Sequence, residues 1–308
     1  MCFFSIVLPT FNRAHLITAP IQSVINQSFK DWELIIIDDG STDNTKEIAA
    51  QFNDSRIKYI YQANMERSMA RNNGINNAGG ELICFIDSDD SWHSNHLELI
   101  YQKAMERHLR PALYFTGMRW ISASRSTDVI FDHPQNRNQV EYVIENQIAP
   151  STACLNRSIT EQIKFNPALR INEDVEFFAR VAAHFDLVQI REITVDFSIH
   201  DENTKGLTKN YISPQVEAMK LIFENEELKG KLSGAFKVKI FKGLKHQLIN
   251  HYSASGEYML MNKEIVLFLL QFPFNPGNKT KWVLLLYHLP GGQLLKSMVG
   301  KLKGESNV

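Results

Sequence analysis

The sequence predicts an α/β fold: a mixed, mainly parallel sheet flanked by helices, followed by a helical C-terminal region. Short apolar runs alternate with helical patterns between Ser5 and Ile86, which is typical of parallel strands joined by crossover helices. Several of these runs end abruptly in polar or acidic residues. After Gly206 only helical patterns remain, so we predict one domain over residues 1–205 and a helical region over residues 206–308.

Four apolar runs rich in branched residues predict the strands of the first half of the chain, because buried strands of parallel sheets have this composition. These runs are Ser5–Pro9, Glu33–Asp39, Ile57–Tyr61 and Leu82–Ile86. The segments between them show helical periodicity and capping residues, and the last one stops at a glycine pair. These predicted helices are Ala14–Gln27, Thr42–Phe52 and Arg67–Asn77.

The middle of the chain mixes short strands with one strongly periodic helix. The predicted strands are Leu113–Phe115, Met118–Ile121, Val129–Phe131 and Leu187–Ile199. Apolar residues recur at helical spacing across Asn172–Phe185, so this segment is predicted to be a helix that opens with two acids. The later helix candidates are Tyr211–Glu224, Ala235–Tyr252 and Tyr258–Leu270.

Composition sets outer limits on function. The 308 residues are 44% hydrophobic, enough for a sizeable core, and a net charge of -1 offers no basic excess for a nucleic-acid partner. The scattered Cys2, Cys84 and Cys154 predict neither a disulfide framework nor a zinc site, and favour a reducing cytoplasm. The apolar N-terminus lacks a basic flank, and no run reaches about 18 apolar residues, so we expect no signal peptide and no transmembrane helix.

The most acidic segment directly follows the fourth predicted strand. Asp87-Ser88-Asp89-Asp90 places three carboxylates beyond the carboxyl end of a strand, where open α/β sheets bind their ligands. Crowded carboxylates need a compensating cation, and Mg²⁺ or Mn²⁺ bridged to substrate phosphates is the usual partner. The segment therefore predicts metal-assisted chemistry on a phosphate-bearing substrate. A plain loop that caps the next helix is the alternative.

Three further polar segments open at the same predicted edge of the sheet. They are Pro9-Thr10-Phe11-Asn12, Asp38-Asp39-Gly40-Ser41-Thr42-Asp43 and Ala70-Arg71-Asn72-Asn73-Gly74. With the acidic segment, whose Asp87 and Asp89 form a D-x-D motif, and in this order, they resemble family 2 glycosyltransferases, which have the GT-A fold. The resemblance covers residues 1–205. It implies an inverting, metal-dependent transfer of a sugar from a nucleotide-diphosphate sugar, most simply a UDP-sugar.

For the donor, the resemblance implies that Pro9, Thr10 and Asp39 hold the nucleotide base and ribose. Arg71 is expected to contact phosphate or base, and Asp87 to contact ribose or a metal-bound water. A carboxylate such as Asp39 can accept from a uracil N–H or a ribose hydroxyl. An ordinary turn is the alternative for the Asp38-Asp39 pair, and a solvated helix face is the alternative for Arg71.

For the metal, the resemblance implies that Asp89 ligates Mn²⁺ or Mg²⁺ directly and that His200 touches the metal or the diphosphate. A polar surface position is the alternative for His200. Asp90 either supports the metal site or caps the next helix.

For the acceptor side, the resemblance implies that Asp174 is the general base, removing the proton of the attacking hydroxyl. An acid that merely stabilises a helix N-terminus is the alternative. Glu173 is expected to orient a neighbouring group. Trp92 either stacks on an acceptor sugar or belongs to the core, and Ser151 is expected to line the acceptor site.

The acceptor is expected to be a hydroxyl of a glycan or lipid-linked glycan in cell-surface polysaccharide biosynthesis. A nucleotidyltransferase is the first competing hypothesis, but Pro9-Thr10-Phe11-Asn12-Arg13 lacks its Gly-rich loop. A non-catalytic nucleotide- or sugar-binding protein is the second, but the acidic residues that it would lose are all present.

Residues 206–308 have three candidate roles: packing on the catalytic sheet, contact with the inner face of the membrane, or a homodimer contact. The membrane role rests on two apolar clusters and a short basic amphipathic tail. These segments are Ile265–Phe274, Trp282–Leu289 and Gln293–Lys303. We therefore expect a cytoplasmic protein, either free or peripheral on the inner membrane face.

Overall fold

The computed structural model describes residues 2–131, 137–199, 209–254, 256–257, 259–261 and 263–264. Within these residues the strands are β1 (Phe4–Thr10), β2 (Trp32–Asp38), β3 (Ile57–Tyr61), β4 (Leu82–Phe85), β5 (Ser91–Trp92), β6 (Ala112–Ile121), β7 (Ser126–Val129), β8 (Ala153–Asn156) and β9 (Asp186–Ser198). The helices are α1 (Thr18–Ile25), α2 (Thr45–Ala49), α3 (Glu66–Asn76), α4 (His96–Glu106), α5 (Gln139–Asn146), α6 (Arg157–Gln162), α7 (Glu173–His184), α8 (Lys209–Glu224), α9 (Glu226–Lys229) and α10 (Gly234–Ala254). A short 3-10 turn, Pro150–Thr152, leads into β8.

The strands of the described part of the chain form one mixed sheet in the order β3-β2-β1-β4-β8-β6-β9-β5, with β7 beside β6. The pairs β1/β2, β2/β3, β1/β4 and β6/β9 are parallel. Because β8 is antiparallel to both β4 and β6, the strands β1 to β4, β6 and β9 all end at the same edge. The segment entering β8 begins at that edge too, and this is where polar loops can converge.

The buried strands explain why the sequence reads as short apolar runs. Every residue of β2 and of β4 is buried, which requires cover on both faces of the sheet. The α3 helix packs closely on β1 at Gly74, where a Cβ would lie only 2.3 Å from a methyl carbon of Val7. This close approach fixes α3 against β1.

The predicted α/β class and the mixed, mainly parallel sheet are confirmed, with differences in the bounds of single elements. The helix expected from Ala14 begins only at Thr18, after a turn. Two short strands were predicted across 113–121, but β6 is continuous, and its register with β9 shifts at Gly117. A register shift of this kind interrupts the regular alternation that sequence patterns rely on. The elements β5, β8, α5, α6 and α9 have no counterpart among the predicted elements.

The described residues fall into two compact units. The first contains the described residues up to 199 together with 218–233, and the second contains the described residues within 209–217 and 234–264. The predicted division at residue 205 stays a prediction. The helix predicted over Tyr258–Leu270 lies mostly outside the described residues, as do the two apolar clusters and the basic tail. In the described ranges, each helix is too short or too polar to cross a bilayer.

Candidate active site

The loops that follow β1 and β2 are locked together by hydrogen bonds. The backbone N–H of Asn12 donates to Ser41 Oγ at 2.8 Å, and Asn12 Oδ1 accepts from the Thr42 N–H at 2.8 Å. Asn12 adopts a left-handed φ of 52°, a conformation that asparagine tolerates better than most residues. The Asp39 N–H donates to the carbonyl of Thr10 at 2.8 Å. Thr10 is thus buried against the loop that carries Asp39, and Pro9 precedes it on β1.

The two neighbouring aspartates of the second loop have different surroundings. Asp38 accepts from the Ser41 N–H at 2.7 Å and from the Tyr59 hydroxyl, so its carboxylate is used inside the protein. Burial and the bond to Asp38 raise the pKa of Tyr59 above its ordinary value, which keeps the phenol a donor. Asp39 Oδ1 accepts from Gln62 Nε2 at 2.6 Å and from the Met65 N–H at 2.9 Å. The Asp38 carboxylate therefore stabilises the turn after β2, in agreement with the alternative that this residue is part of an ordinary turn.

The acidic turn after β4 separates two accessible carboxylates from one buried carboxylate. Asp87 and Asp89 are partly exposed, whereas Asp90 is only 1% exposed. Ser151 Oγ accepts from the Asp87 N–H at 3.0 Å and donates to Asp90 Oδ2 at 2.5 Å. Burial, together with the charges of Asp87 and Asp89, raises the pKa of Asp90 well above its usual range. Asp90 thus supports the turn from inside.

Trp92 and Ser151 lie in the interior beneath this turn. The Trp92 ring is 4% exposed and stacks on His96 at 4.2 Å between centroids, and its Nε1 donates to the Ser151 carbonyl at 2.8 Å. Of the two alternatives for Trp92, burial favours the core residue over a ring that stacks on a sugar. The side chain of Ser151 is also buried, so its contacts support the acidic turn rather than line an acceptor surface.

Arg71 joins the two acidic segments of the site. Its Nη2 lies 2.8 Å from Asp87 Oδ1 and its Nη1 lies 2.9 Å from Glu173 Oε1. Burial opposes the charge, but the attraction of Asp87 and Glu173 outweighs it and raises the pKa of Arg71 above its ordinary value. The side chain is buried and both terminal nitrogens are engaged. The structure therefore places Arg71 as an internal bridge rather than as the direct donor contact that the resemblance implies.

Glu173 and Asp174 form the first turn of α7, where acids are favoured by the helix dipole. Glu173 is buried, and its Oε1 lies 2.9 Å from Arg71 Nη1 and 3.6 Å from Arg67 Nε; its orienting role stays a prediction. Asp174 is partly exposed, and its Oδ1 accepts from the Val175 N–H at 2.8 Å. Burial of the carboxyl group and the negative charge of Glu173 raise the pKa of Asp174 to about 7. The positive charge of Arg71 lowers this pKa, but by a smaller amount.

The predicted metal ligands are only partly within the described residues. Asp89 lies on the acidic turn, and His200 lies outside the described residues. In the described ranges no three His, Cys, Asp or Glu side chains gather into a complete metal site. Two neighbouring, partly exposed carboxylates nevertheless fit Mg²⁺ or Mn²⁺, because these ions are commonly held by one or two carboxylates plus substrate phosphates.

Two residues at the same edge of the sheet have no role assigned from the sequence. The ring of Phe11 is 45% exposed immediately beyond β1, and Gln62 binds Asp39 immediately beyond β3. Both follow the carboxyl ends of parallel strands, where ligands of such sheets bind, and this rule could have identified them. Glu66 takes a left-handed φ of 69° at the start of α3. Its carboxylate lies 3.7 Å from Arg170 Nη1.

Comparison with known proteins gives one matching family profile and several similar proteins. The profile described as Glycosyl transferase family 2 matches residues 5–163. TuaG of Bacillus subtilis (strain 168), named as a teichuronic acid biosynthesis glycosyltransferase, is 33% identical over 175 residues, 56% of this chain and 68% of that protein. WfgD of Escherichia coli, named as a UDP-Glc:alpha-D-GlcNAc-diphosphoundecaprenol beta-1,3-glucosyltransferase, is 43% identical over 96 residues, 31% of this chain and 38% of that protein.

Another similar protein is the Campylobacter jejuni GalNAc(5)-diNAcBac-PP-undecaprenol beta-1,3-glucosyltransferase, 42% identical over 106 residues, 33% of this chain and 34% of that protein. The matches to WfgD and to this enzyme thus span less than two fifths of those proteins. Among solved structures, S. aureus TarS 1–349 in complex with UDP superposes with a TM-score of 0.61 at 20% identity, covering 94% of this chain and 81% of that chain. This likeness shows the fold.

Replacing Arg71 with methionine should remove its cation from Asp87 and leave the buried Glu173 with the exposed Arg67, whose Nε lies 3.6 Å from Glu173 Oε1. Removing one partner of a buried ion pair typically costs about 3–5 kcal/mol, so Arg71→Met should unfold at a clearly lower urea concentration than the wild type. The matched control is Arg157→Met, because Arg157 makes a surface pair with Glu161 at 3.7 Å. That change should cost about 0.5 kcal/mol or less. Equal midpoints for the two variants would contradict the bridging role.

Asp174→Asn should stabilise the protein above pH 7 and leave it unchanged at pH 4. The raised pKa means that ionisation of Asp174 costs folding free energy, a cost that is absent below the unfolded pKa near 4 and complete above about 7. After discounting for partial exposure, we expect a gain of about 1–2 kcal/mol at pH 8, or roughly 2–6 °C in Tm.

The control is Glu98→Gln, which removes an acid from the first turn of α4 and should lower Tm slightly at pH 8. A lower Tm for Asp174→Asn at pH 8 would instead favour the helix-stabilising alternative.

Proposed function

The chain belongs to glycosyltransferase family 2 and has the GT-A fold, and we propose that it transfers one sugar, with inversion, from a UDP-sugar to a hydroxyl of a lipid-linked glycan. The observation that carries this proposal is the Arg71 bridge. It holds Asp87 on the donor side and Glu173 on the acceptor side within 3 Å of one guanidinium group. Transfer in one step requires the donor sugar and the acceptor hydroxyl to be held at a fixed distance and angle. The reaction rate depends steeply on the geometry of these reacting groups.

The nucleotide binds at the carboxyl ends of β1 and β2. The Asp39 carboxylate accepts a hydrogen bond from the base or ribose, and Thr10 and Pro9 shape the wall behind it. The exposed ring of Phe11 offers an apolar face at the same edge. Two findings support UDP: TarS was crystallised with UDP and with UDP-GlcNAc, and WfgD is named for UDP-Glc.

A divalent cation, Mn²⁺ or Mg²⁺, would be held by Asp89 together with Asp87, with substrate phosphate oxygens as its further ligands. His200 is proposed as an additional ligand. When bound, the cation neutralises the charge that develops on the leaving diphosphate. The protein contributes the carboxylates on a turn that Ser151 and Asp90 hold from inside.

Asp174 acts as the general base. Its carboxylate takes the proton of the acceptor hydroxyl as that oxygen forms a bond to the anomeric carbon, and the bond to the diphosphate oxygen breaks with its electron pair. The raised pKa suits this task, because a base works best when its pKa lies near the working pH. One attack from the side opposite the leaving group inverts the anomeric centre.

The acceptor is a glycan carried on a lipid diphosphate, used in cell-surface polysaccharide biosynthesis. Support comes from WfgD and the Campylobacter jejuni enzyme, whose names include undecaprenol-linked acceptors. Such an acceptor is membrane-bound, so the enzyme works in the cytoplasm, peripherally at the inner face of the membrane. Flotation of the chain with liposomes, with and without residues 234–308, tests this location, because residues 218–233 belong to the first unit and are kept. Lipid binding by neither form would contradict it.

The donor proposal predicts that UDP raises the melting temperature only together with Mn²⁺ and Asp89. A ligand at about 100 times its Kd adds roughly 2.7 kcal/mol, or about 5–10 °C for a chain of this size. The measurement is a thermal-shift series with UDP, GDP, dTDP and CMP, each with and without Mn²⁺. Asp89→Ala should lose the shift. The control is Asp186→Ala, because Asp186 begins β9 at the edge of the sheet away from the site. This variant should keep the shift. No shift with any nucleotide would overturn the proposed function.

The base proposal predicts that kcat/KM rises with pH through about 7 and then levels off, because Asp174 must be ionised to accept a proton. Asp174→Asn should lower kcat by about 10²–10⁴-fold while the thermal shift with UDP and Mn²⁺ persists. The measurement is initial rate against pH with a UDP-sugar and a lipid-linked acceptor. Near wild-type turnover by Asp174→Asn would remove Asp174 from the mechanism.

A further inference from the structure

Three side-chain amides form a chain that ends on the proposed base-binding carboxylate. Asn77 Nδ2 donates to Asn73 Oδ1 at 2.9 Å, and Asn73 Nδ2 donates to Gln62 Oε1 at 2.7 Å. Gln62 Nε2 then donates to Asp39 Oδ1 at 2.6 Å. The chain runs from the C-terminal end of α3 to the loop after β2, and we call it the amide relay.

The direction of the amide relay follows from elementary chemistry. A carboxylate only accepts hydrogen bonds, so Gln62 must turn its NH₂ group toward Asp39. The Gln62 carbonyl then faces Asn73, which must donate in turn, and Asn77 must donate to Asn73 for the same reason. Each amide is thereby held in one of its two orientations by the next one along the relay.

The backbone around Gln62 is anchored as well. The Gln62 N–H donates to the Asp38 carbonyl at 2.9 Å, and the Met65 N–H supplies a second donor to Asp39 Oδ1. Gly40, with a φ of 89°, lets this loop approach closely, since a Cβ there would lie 2.9 Å from the Asn64 nitrogen. One oxygen of Asp39 is thus occupied by two N–H donors inside the protein.

We propose that Gln62, oriented by Asn73 and Asn77, is a positioning residue that fixes the orientation of the Asp39 carboxylate, itself only an acceptor, toward the nucleobase and thereby selects bases that carry a ring N–H. The proposal rests on the proposed function. Uracil, thymine and guanine present a ring N–H on their pairing edge, whereas cytosine and adenine present an acceptor nitrogen. An acceptor nitrogen facing the Asp39 carboxylate leaves two lone pairs opposed, and buried polar groups left unpaired in this way are costly.

The test compares binding of UDP and CDP, each with Mn²⁺, to the wild type and to Gln62→Met by titration calorimetry. Methionine has nearly the same length but cannot donate, so Asp39 Oδ1 loses one of the two N–H donors that align it and keeps the Met65 N–H. The Kd for UDP should rise about tenfold, because the base N–H then makes a weaker hydrogen bond to the misaligned Asp39 carboxylate, and the preference for UDP over CDP should fall. The kcat at saturating UDP-sugar should change less than twofold while KM rises.

The matched control is Gln102→Met, because Gln102 Nε2 also donates to a carboxylate, Glu98, at 2.9 Å, on the exposed face of α4. It should leave both Kd values unchanged. Asn73→Ala and Asn77→Ala provide a graded series along the relay, with the larger loss of UDP preference at Asn73. These variants keep Gln62 itself, so their Kd values for UDP and CDP test the proposal even if Gln62→Met folds poorly.

The outcomes separate the relay from the proposed function. Wild type that prefers UDP, with a reduced preference in Gln62→Met and Asn73→Ala, supports the proposal. Wild type that prefers UDP, with an unchanged ratio in both variants, overturns the relay and leaves the donor assignment intact. Wild type that binds neither UDP nor CDP overturns both. A loss of UDP and CDP binding by the same factor in the variants overturns the selective role, because damage to the fold alone would produce it.

Discussion

The buried guanidinium of Arg71 is the interaction on which the rest of the site depends. A lone charge at this depth would be strongly unfavourable, so Arg71 requires its two carboxylate partners, and they require it. The partners come from different elements: Asp87 follows β4 and Glu173 opens α7. Because guanidinium is planar and presents its N–H groups in a fixed fork, the pairing also fixes the relative orientation of these elements. Lysine could not reproduce that geometry.

Two carboxylates of the site, Asp90 and Asp174, lie in surroundings that disfavour their ionised form, and the scaffold supplies the stability that compensates. Burial raises the pKa of Asp90 and of Asp174, so both acids cost folding free energy when they ionise. The fully buried strands beneath them and the hydrogen bonds of Ser151 hold the acidic turn in place. The surroundings differ between chemically identical side chains: Asp38, Asp39 and Asp90 are buried, while Asp87 and Asp89 are partly exposed.

Much of the donor half could be predicted, because its residues follow β1, β2 and β4 at short, fixed distances along the chain. The run from Leu82 to Phe85 reads as a strand, and its end locates Asp87 and Asp89 whatever the rest of the chain does. The burial of Arg71 and the interior position of Trp92 could not be predicted in the same way. Both depend on partners more than fifty residues distant, Glu173 and Ser151, which helical or strand periodicity does not connect.

The sequence by itself determined the fold class, the alternation of strand and helix, and the ordered acidic and polar segments at one sheet edge, since these follow from local periodicity and turn chemistry. Only the tertiary structure decided which acids face inward, which carboxylates share Arg71, and how Gln62 reaches Asp39. The physical reason is that β8 runs antiparallel between β4 and β6, which places Ser151 beneath Asp87. Burial and charge pairing depend on residues that the fold brings together from distant parts of the chain, so no single segment of the sequence determines them.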